Sequence, residues 1–212
     1  MNISDQIRRS IVPHTLSLFK HGKIRSMTEH KRFVSRAGEK LEHAIQYFNV
    51  EIDGLVCADL GSNTGGFVDC LLAHGAKKVY SIDTGYGVLD WKLRNSPTVV
   101  VMERTNAMHV SLPEKMDLVT IDVSWTKQEK ILPNSIKLLQ SDGQILSLVK
   151  LHYESPNIWL SEGKLHDDKI QDVIDIVITK ITSLGLNIQG YVRSPIVGKK
   201  AGNTEYLFHI TL

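Results

Sequence analysis

The run Ala58-Asp59-Leu60-Gly61-Ser62-Asn63-Thr64-Gly65-Gly66-Phe67 constrains this chain more than any other stretch. Residues 55–60 form an apolar segment that reads as a buried strand and ends on an acid and a glycine cluster. Apolar spacing resumes at Phe67, Leu71 and Leu72 with helical periodicity. Strand, glycine turn and helix is how an open α/β sheet builds a ligand crevice at its carboxyl edge. Glycine lets the backbone turn sharply and approach a ligand closely, because no Cβ intervenes. The spacing G-x-x-x-G-G excludes the dinucleotide fingerprint, which needs G-x-G-x-x-G, and no Gly-Lys-Ser/Thr closes the turn as a phosphate loop would require. Asp59 would repel a pyrophosphate but suits an amine. A second acid, Asp83, follows the apolar segment 78–82, where a carboxylate can accept both hydroxyls of a ribose. Amine, sulfonium and free ribose together describe S-adenosylmethionine; the plainer alternative is a glycine turn with no ligand.

The remaining pattern extends the same architecture. Strands are expected at 99–102, 117–121 and 144–149, an amphipathic helix at 168–184 and two late strands at 187–192 and 205–210. A further helix follows Ser35-Arg36-Ala37-Gly38, with Leu41, Ala44, Ile45 and Phe48 as its apolar stripe and Lys40 beside it. Residues 3–19 read as a helix interrupted at Pro13. Alternating strands and helices predict an α/β fold with a parallel, doubly wound sheet closed by a hairpin at one edge. Asp59, Asp83, Asn106, Asp122 and Lys150 then all fall at carboxyl ends of strands, where such folds bind ligands.

A chain of 212 residues fits one domain with a short extension. Residues 1–40 hold nine Lys/Arg against three acids, leaving sixteen against twenty in the rest, so a basic amino-terminal arm precedes a mildly acidic body. That asymmetry points to a polyanion, most simply RNA. There is no long apolar span and no signal peptide, so no membrane is expected and a cytoplasmic protein is. Cys57 and Cys70 flank the glycine turn as small core residues, and the nine histidines lack ligand spacing, so no metal is expected.

Five separated motifs, in order, carry a family resemblance. They are Ser35-Arg36-Ala37-Gly38-Glu39-Lys40-Leu41, residues 59–72, Tyr86-Gly87 through Arg94, residues 102–107, and Ile121-Asp122-Val123-Ser124. Together they resemble the haemolysin-A-like (TlyA) ribosomal RNA 2′-O-methyltransferases, within the FtsJ-type methyltransferases. The resemblance implies a class I S-adenosylmethionine-dependent methyltransferase fold, Rossmann-like, with a mostly parallel seven-stranded sheet over residues 33–212, behind a basic extension at 1–32. It further implies S-adenosylmethionine as cofactor, ribosomal RNA or a ribosomal subunit as partner, and a catalytic tetrad of Lys40, Asp122, Lys150 and Glu205. Cofactor contacts are expected from Asp59, Gly61, Ser62, Gly65, Gly66, Phe67 and Asp122 to the methionine part, Asp83 to the ribose, and Thr105 and Asn106 to the adenine edge. Ser35 and Arg36 suit either the cofactor carboxylate or an RNA phosphate. Trp91 is a candidate for stacking on a base.

A ribose hydroxyl is a poor nucleophile, so a base must take its proton during methyl transfer. A free lysine, with a pKa near ~10.4, serves only where its surroundings favour the neutral form. Lys150 is expected to be that base, oriented by Asp122, with Lys40 and Glu205 completing the network. Three departures from the family pattern stand out. Residues 1–32 are too short for the S4-type RNA-binding module, Leu151-His152-Tyr153-Glu154 replaces the usual Pro-Gln-Phe-Glu, and Trp125-Thr126-Lys127 replaces Phe-Ile-Ser. They flank the acceptor side, so a small-molecule or protein acceptor and a non-catalytic RNA-binding scaffold remain alternative readings.

Overall fold

The computed structural model describes residues 32–198 and 201–212; the first 31 residues of the basic arm, with the expected helix at 3–19, lie outside them. In chain order the elements are α1 (Ala37–Phe48), β1 (Val56–Leu60), α2 (Gly66–Ala73), β2 (Lys78–Ile82), the single turn α3 (Trp91–Arg94) and β3 (Val99–Met102). There follow β4 (Met116–Ile121), α4 (Gln128–Leu138), β5 (Leu139–Lys150), the turn α5 (Leu151–Glu154), a two-residue-per-strand hairpin β6 (Leu160–Ser161) and β7 (Lys164–Leu165), α6 (Ile170–Ser183), β8 (Asn187–Arg193) and β9 (Glu205–Thr211).

The central strands are apolar without alternation because both sheet faces are covered. One face buries Cys57, Val79, Leu118 and Leu146 against Leu41, Ala44 and Ile45 of α1 and Phe67, Val68 and Leu71 of α2. The other buries Ala58, Tyr80, Val119 and Ile145 against Ile131 and Leu132 of α4 and Val173, Val177 and Ile181 of α6. The seven-stranded sheet runs β3-β2-β1-β4-β5-β9-β8. Pairings from β3 to β5 are parallel, and β9 enters antiparallel between β5 and β8. The expected closing hairpin is therefore present, with its second strand as the inner one.

Strand β5 starts at Leu139, five residues before the sequence suggests. Its polar residues Gln140-Ser141-Asp142-Gly143 bulge between the pairings Met116–Leu139 and Leu118–Gln144. Helix α4 is hidden in the sequence by the internal Pro133, which removes one backbone donor.

Parallel pairing aligns Leu60 with Ile121, so the turn after β1 lies against the chain leaving β4. Gly61 makes this possible: its φ is +89°, and an added Cβ would sit 2.5 Å from the Asp122 carbonyl oxygen. At Gly66 a Cβ would collide with the Ser35 hydroxyl and the Ala37 methyl, so the start of α2 is cut to fit the start of α1. Gly61→Ala is expected to lower stability by about 1–3 kcal/mol, read from the midpoint of urea unfolding, and to displace Asp122.

Candidate active site

A cavity of about 540 Å³ opens at the carboxyl edge of the sheet. Each wall follows from the topology. The end of β1 supplies Asp59 and the turn after it Gly61 and Ser62; the start of α2 supplies Phe67; α1 and the two residues before it supply Lys40, Ser35 and Arg36; the ends of β4 and β5 supply Asp122 and Lys150; and β9 supplies Glu205.

Asp59 lies in the strand itself, 1 % exposed. Its Oδ1 accepts a 2.7 Å hydrogen bond from the Thr120 hydroxyl. Its Oδ2 is buried and has no partner among the described residues. Burial is the main reason its pKa climbs from 3.8 to about 8; the Thr120 hydrogen bond opposes the rise, and the charges of Asp122 and Asp83 add to it. A buried carboxylate with one vacant oxygen is a receptor for a cationic donor, and the ammonium of a methionine moiety fits that description.

The same lining carries two ion pairs. Lys150 Nζ donates to Asp122 Oδ1 at 2.6 Å and to the Val123 carbonyl at 3.1 Å. Lys40 reaches from α1 to Glu205, both side chains more than nine-tenths buried. Lys150 and Glu205 are direct antiparallel partners in the β5–β9 register. All four residues line the one cavity.

The remaining expected residues lie outside the lining. Asp83 accepts from the backbone N–H of Asn63 at 2.8 Å and of Gly85 at 2.7 Å, tying the turn after β1 to the end of β2. Thr105 donates to the Glu103 carbonyl, and the Asn106 side chain accepts from the Met108 N–H. Gly65 and Gly66 pack against Leu93 and Ser35. Trp91 is exposed on α3, away from the cavity.

Conversely, the walls include residues that the motifs do not announce. Trp125 is 74 % exposed, with left-handed backbone at φ +57°. It faces Tyr153 with ring centroids 6.3 Å apart. His152 presents a buried Nδ1 with no partner among the described residues; burial, then the Lys150 charge, lowers its pKa. The β6–β7 turn adds Glu162 and Gly163, held by Asn203, which donates to the Gly163 carbonyl and accepts from the Leu165 N–H. Only the altered tripeptide after Asp122 and tetrapeptide after Lys150 give a sequence signal for any of these.

A family model described as FtsJ-like methyltransferase matches residues 33–211. The chain belongs to this family. Hemolysin A of Brachyspira hyodysenteriae is 38% identical over 187 residues, covering 85% of this chain and 78% of that one. The 16S/23S rRNA (cytidine-2′-O)-methyltransferase TlyA of Mycobacterium tuberculosis is 37% identical over 182 residues, covering 83% of this chain and 67% of that one. A crystal structure of a candidate hemolysin from Lactococcus lactis superposes with a TM-score of 0.81 at 39% identity, covering 85% of this chain and 88% of that one. Despite the hemolysin names, no helix among the described residues is long and apolar enough to cross a membrane.

Two outcomes are expected of this site. Between pH 4 and about 8 the folded state holds a proton on Asp59 that the unfolded chain has lost. Asp59 therefore subtracts stability as pH rises through that window, by up to about 1.4 kcal/mol per unit, and the loss levels off above it. Urea unfolding at pH 5, 7 and 9 should show Asp59→Asn gaining on the wild type from 5 to 7 and little more beyond 8. Lys40→Met leaves Glu205 as a buried unpaired charge and should cost about 3–5 kcal/mol. Lys40→Met with Glu205→Leu should recover most of it in a double-mutant cycle.

Proposed function

We propose that this protein is an S-adenosylmethionine-dependent methyltransferase that modifies a ribose 2′-hydroxyl of ribosomal RNA, with Lys150 as general base. One observation carries the chemistry. A neutral amine has two N–H bonds and one lone pair. The two acceptors held by Lys150, Asp122 Oδ1 and the Val123 carbonyl, match those two bonds and leave the lone pair for an incoming hydroxyl. Asp122 fixes the amine on the cavity lining. Lys40 and Glu205, the latter across the β5–β9 register from Lys150, form a charge-balanced pair beside it, and Lys40 spares Glu205 from burial as a lone anion.

When bound, the cofactor supplies an electrophilic methyl group. Asp59, Gly61, Ser62 and Phe67 would hold its methionine end, with Gly65 and Gly66 shaping the turn. Asp83 would take the ribose hydroxyls, and Thr105 and Asn106 the adenine edge. Ser35 and Arg36, on the cavity wall, would bind a carboxylate or phosphate. Lys150 takes the hydroxyl proton as the ribose oxygen gains the methyl group. Trp125 and Tyr153 stand at the Lys150 end, where unpaired RNA bases find stacking partners. The relatives named as ribosomal RNA methyltransferases support that acceptor, the basic segment 1–32 would add phosphate contacts, and such a substrate would be met in the cytoplasm.

The test is incubation with tritiated S-adenosylmethionine and unmodified ribosomal subunits, beside Lys150→Ala. Label should enter RNA, and the variant should be slower by about 10²–10⁴-fold with cofactor affinity unchanged in calorimetry. Full activity in the variant would remove Lys150 from its role. Cofactor binding with no labelled RNA from the wild type would point to another acceptor.

A further inference from the structure

The β1–β4 register sets Thr120 directly beside Asp59. Thr120 is fully buried, in a strand whose neighbours are Leu118, Val119 and Ile121. A hydroxyl there is not needed for packing, and a valine would fill the same volume with more apolar surface. Its placement has a consequence for the cofactor end of the cavity.

We propose that Thr120 is a positioning residue for cofactor capture, holding one oxygen of Asp59 so that the other faces the cofactor's ammonium group, in either protonation state of the carboxyl. This rests on the reading that S-adenosylmethionine occupies the cavity. Two acceptors lie around the Thr120 oxygen: Asp59 Oδ1 at 2.7 Å and the Ala58 carbonyl at 3.5 Å. A hydroxyl carries one hydrogen and can also accept. With Asp59 ionised, Thr120 donates to Oδ1. With Asp59 protonated, the carboxyl donates to the Thr120 oxygen and the threonine hydrogen turns to Ala58. The carboxyl group keeps a partner and its orientation in both states, and Oδ2 stays vacant in both.

The surroundings make both states accessible. The acids facing Asp59 are Asp122, already paired with Lys150, and Asp83, already accepting two backbone N–H groups. The thiols of Cys57 and Cys70 nearby are kept protonated by burial. No cation among the described residues neutralises Asp59, so the free protein keeps it protonated near neutral pH. A ligand ammonium at Oδ2 supplies the missing charge, and the proton leaves to solvent as the ligand binds.

Calorimetry with S-adenosylhomocysteine, which carries the same ammonium, tests this between pH 6 and 9. Titrations at pH 7 in buffers of differing ionisation enthalpy count the protons. The wild type should release close to one proton at pH 7, and its affinity should rise with pH and level off above about 8. Thr120→Val should bind about ten- to hundredfold more weakly at pH 7, the loss expected of one hydrogen bond to a charged group. Its affinity should level off at a higher pH. Thr120→Ser should restore both the affinity and the profile. Thermal unfolding of the free variants at pH 5, where Asp59 is protonated, separates this from a folding defect. Unchanged affinity and pH profile in Thr120→Val would overturn the proposal. A wild type that binds no S-adenosylhomocysteine at any pH would instead overturn the cofactor reading beneath it.

Discussion

The register between neighbouring strands is the constraint on which the site depends. Parallel pairing of β1 with β4 and of β4 with β5 ends three strands at one edge. Residues distant in sequence, Asp59, Asp122 and Lys150, thereby meet without any long connection having to be ordered for the purpose. The antiparallel entry of β9 then sets Glu205 opposite Lys150. A slip of one residue in either pairing would turn these side chains to the opposite face of the sheet. Both faces are packed core, so such a slip would bury charge and is strongly disfavoured. The apolar faces that stabilise the fold also fix the register of these four residues.

Within that frame the acids of the cavity fall into two kinds. Asp59 is buried with no cationic partner among the described residues, which lowers stability as it ionises. Asp122 and Glu205 are each paired with a lysine inside the protein. The two arrangements have opposite consequences. A cation beside Asp59 would offset the desolvation of its ionised form. The paired carboxylates already have their cations and gain nothing from another.

Much of this was legible in the sequence because the site grows from strand ends. The glycine turn announced β1 and α2, and the acids and lysine closing apolar runs announced Asp59, Asp122 and Lys150 of the lining, while Asp83, read in the same way, lies outside it. Glu205 and Lys40 needed the family pattern, since nothing local in Asn203-Thr204-Glu205 or Gly38-Glu39-Lys40 distinguishes an inward charge from a solvated one. Thr120 was silent: inside a buried strand a threonine reads as a β-branched filler, and only its cross-strand neighbour gives it a role. Helix α4 was hidden by Pro133, and the start of β5 by its polar bulge. The share of the lining that comes from the β6–β7 turn could not be foreseen, because it depends on the long-range contacts of Asn203.

The segments that follow β4 and β5 form a mechanical unit of their own. Trp125 and Tyr153 lie on separate segments, one after β4 and one after β5, yet they are tied together from behind. Glu154, buried, accepts a 2.7 Å hydrogen bond from the Gln128 N–H at the start of α4 and pairs with Lys180 of α6 at 3.5 Å. Gln128 in turn accepts from Ser147 of β5 at 2.8 Å. The β4–α4 loop and the turn α5 are therefore clamped to one another and to the strand that ends in Lys150. Substitutions at 125–127 and 151–153 change the side chains that line the cavity while this clamp keeps the spacing between the two segments. The lining contributed by the two segments can accordingly vary without moving Lys150.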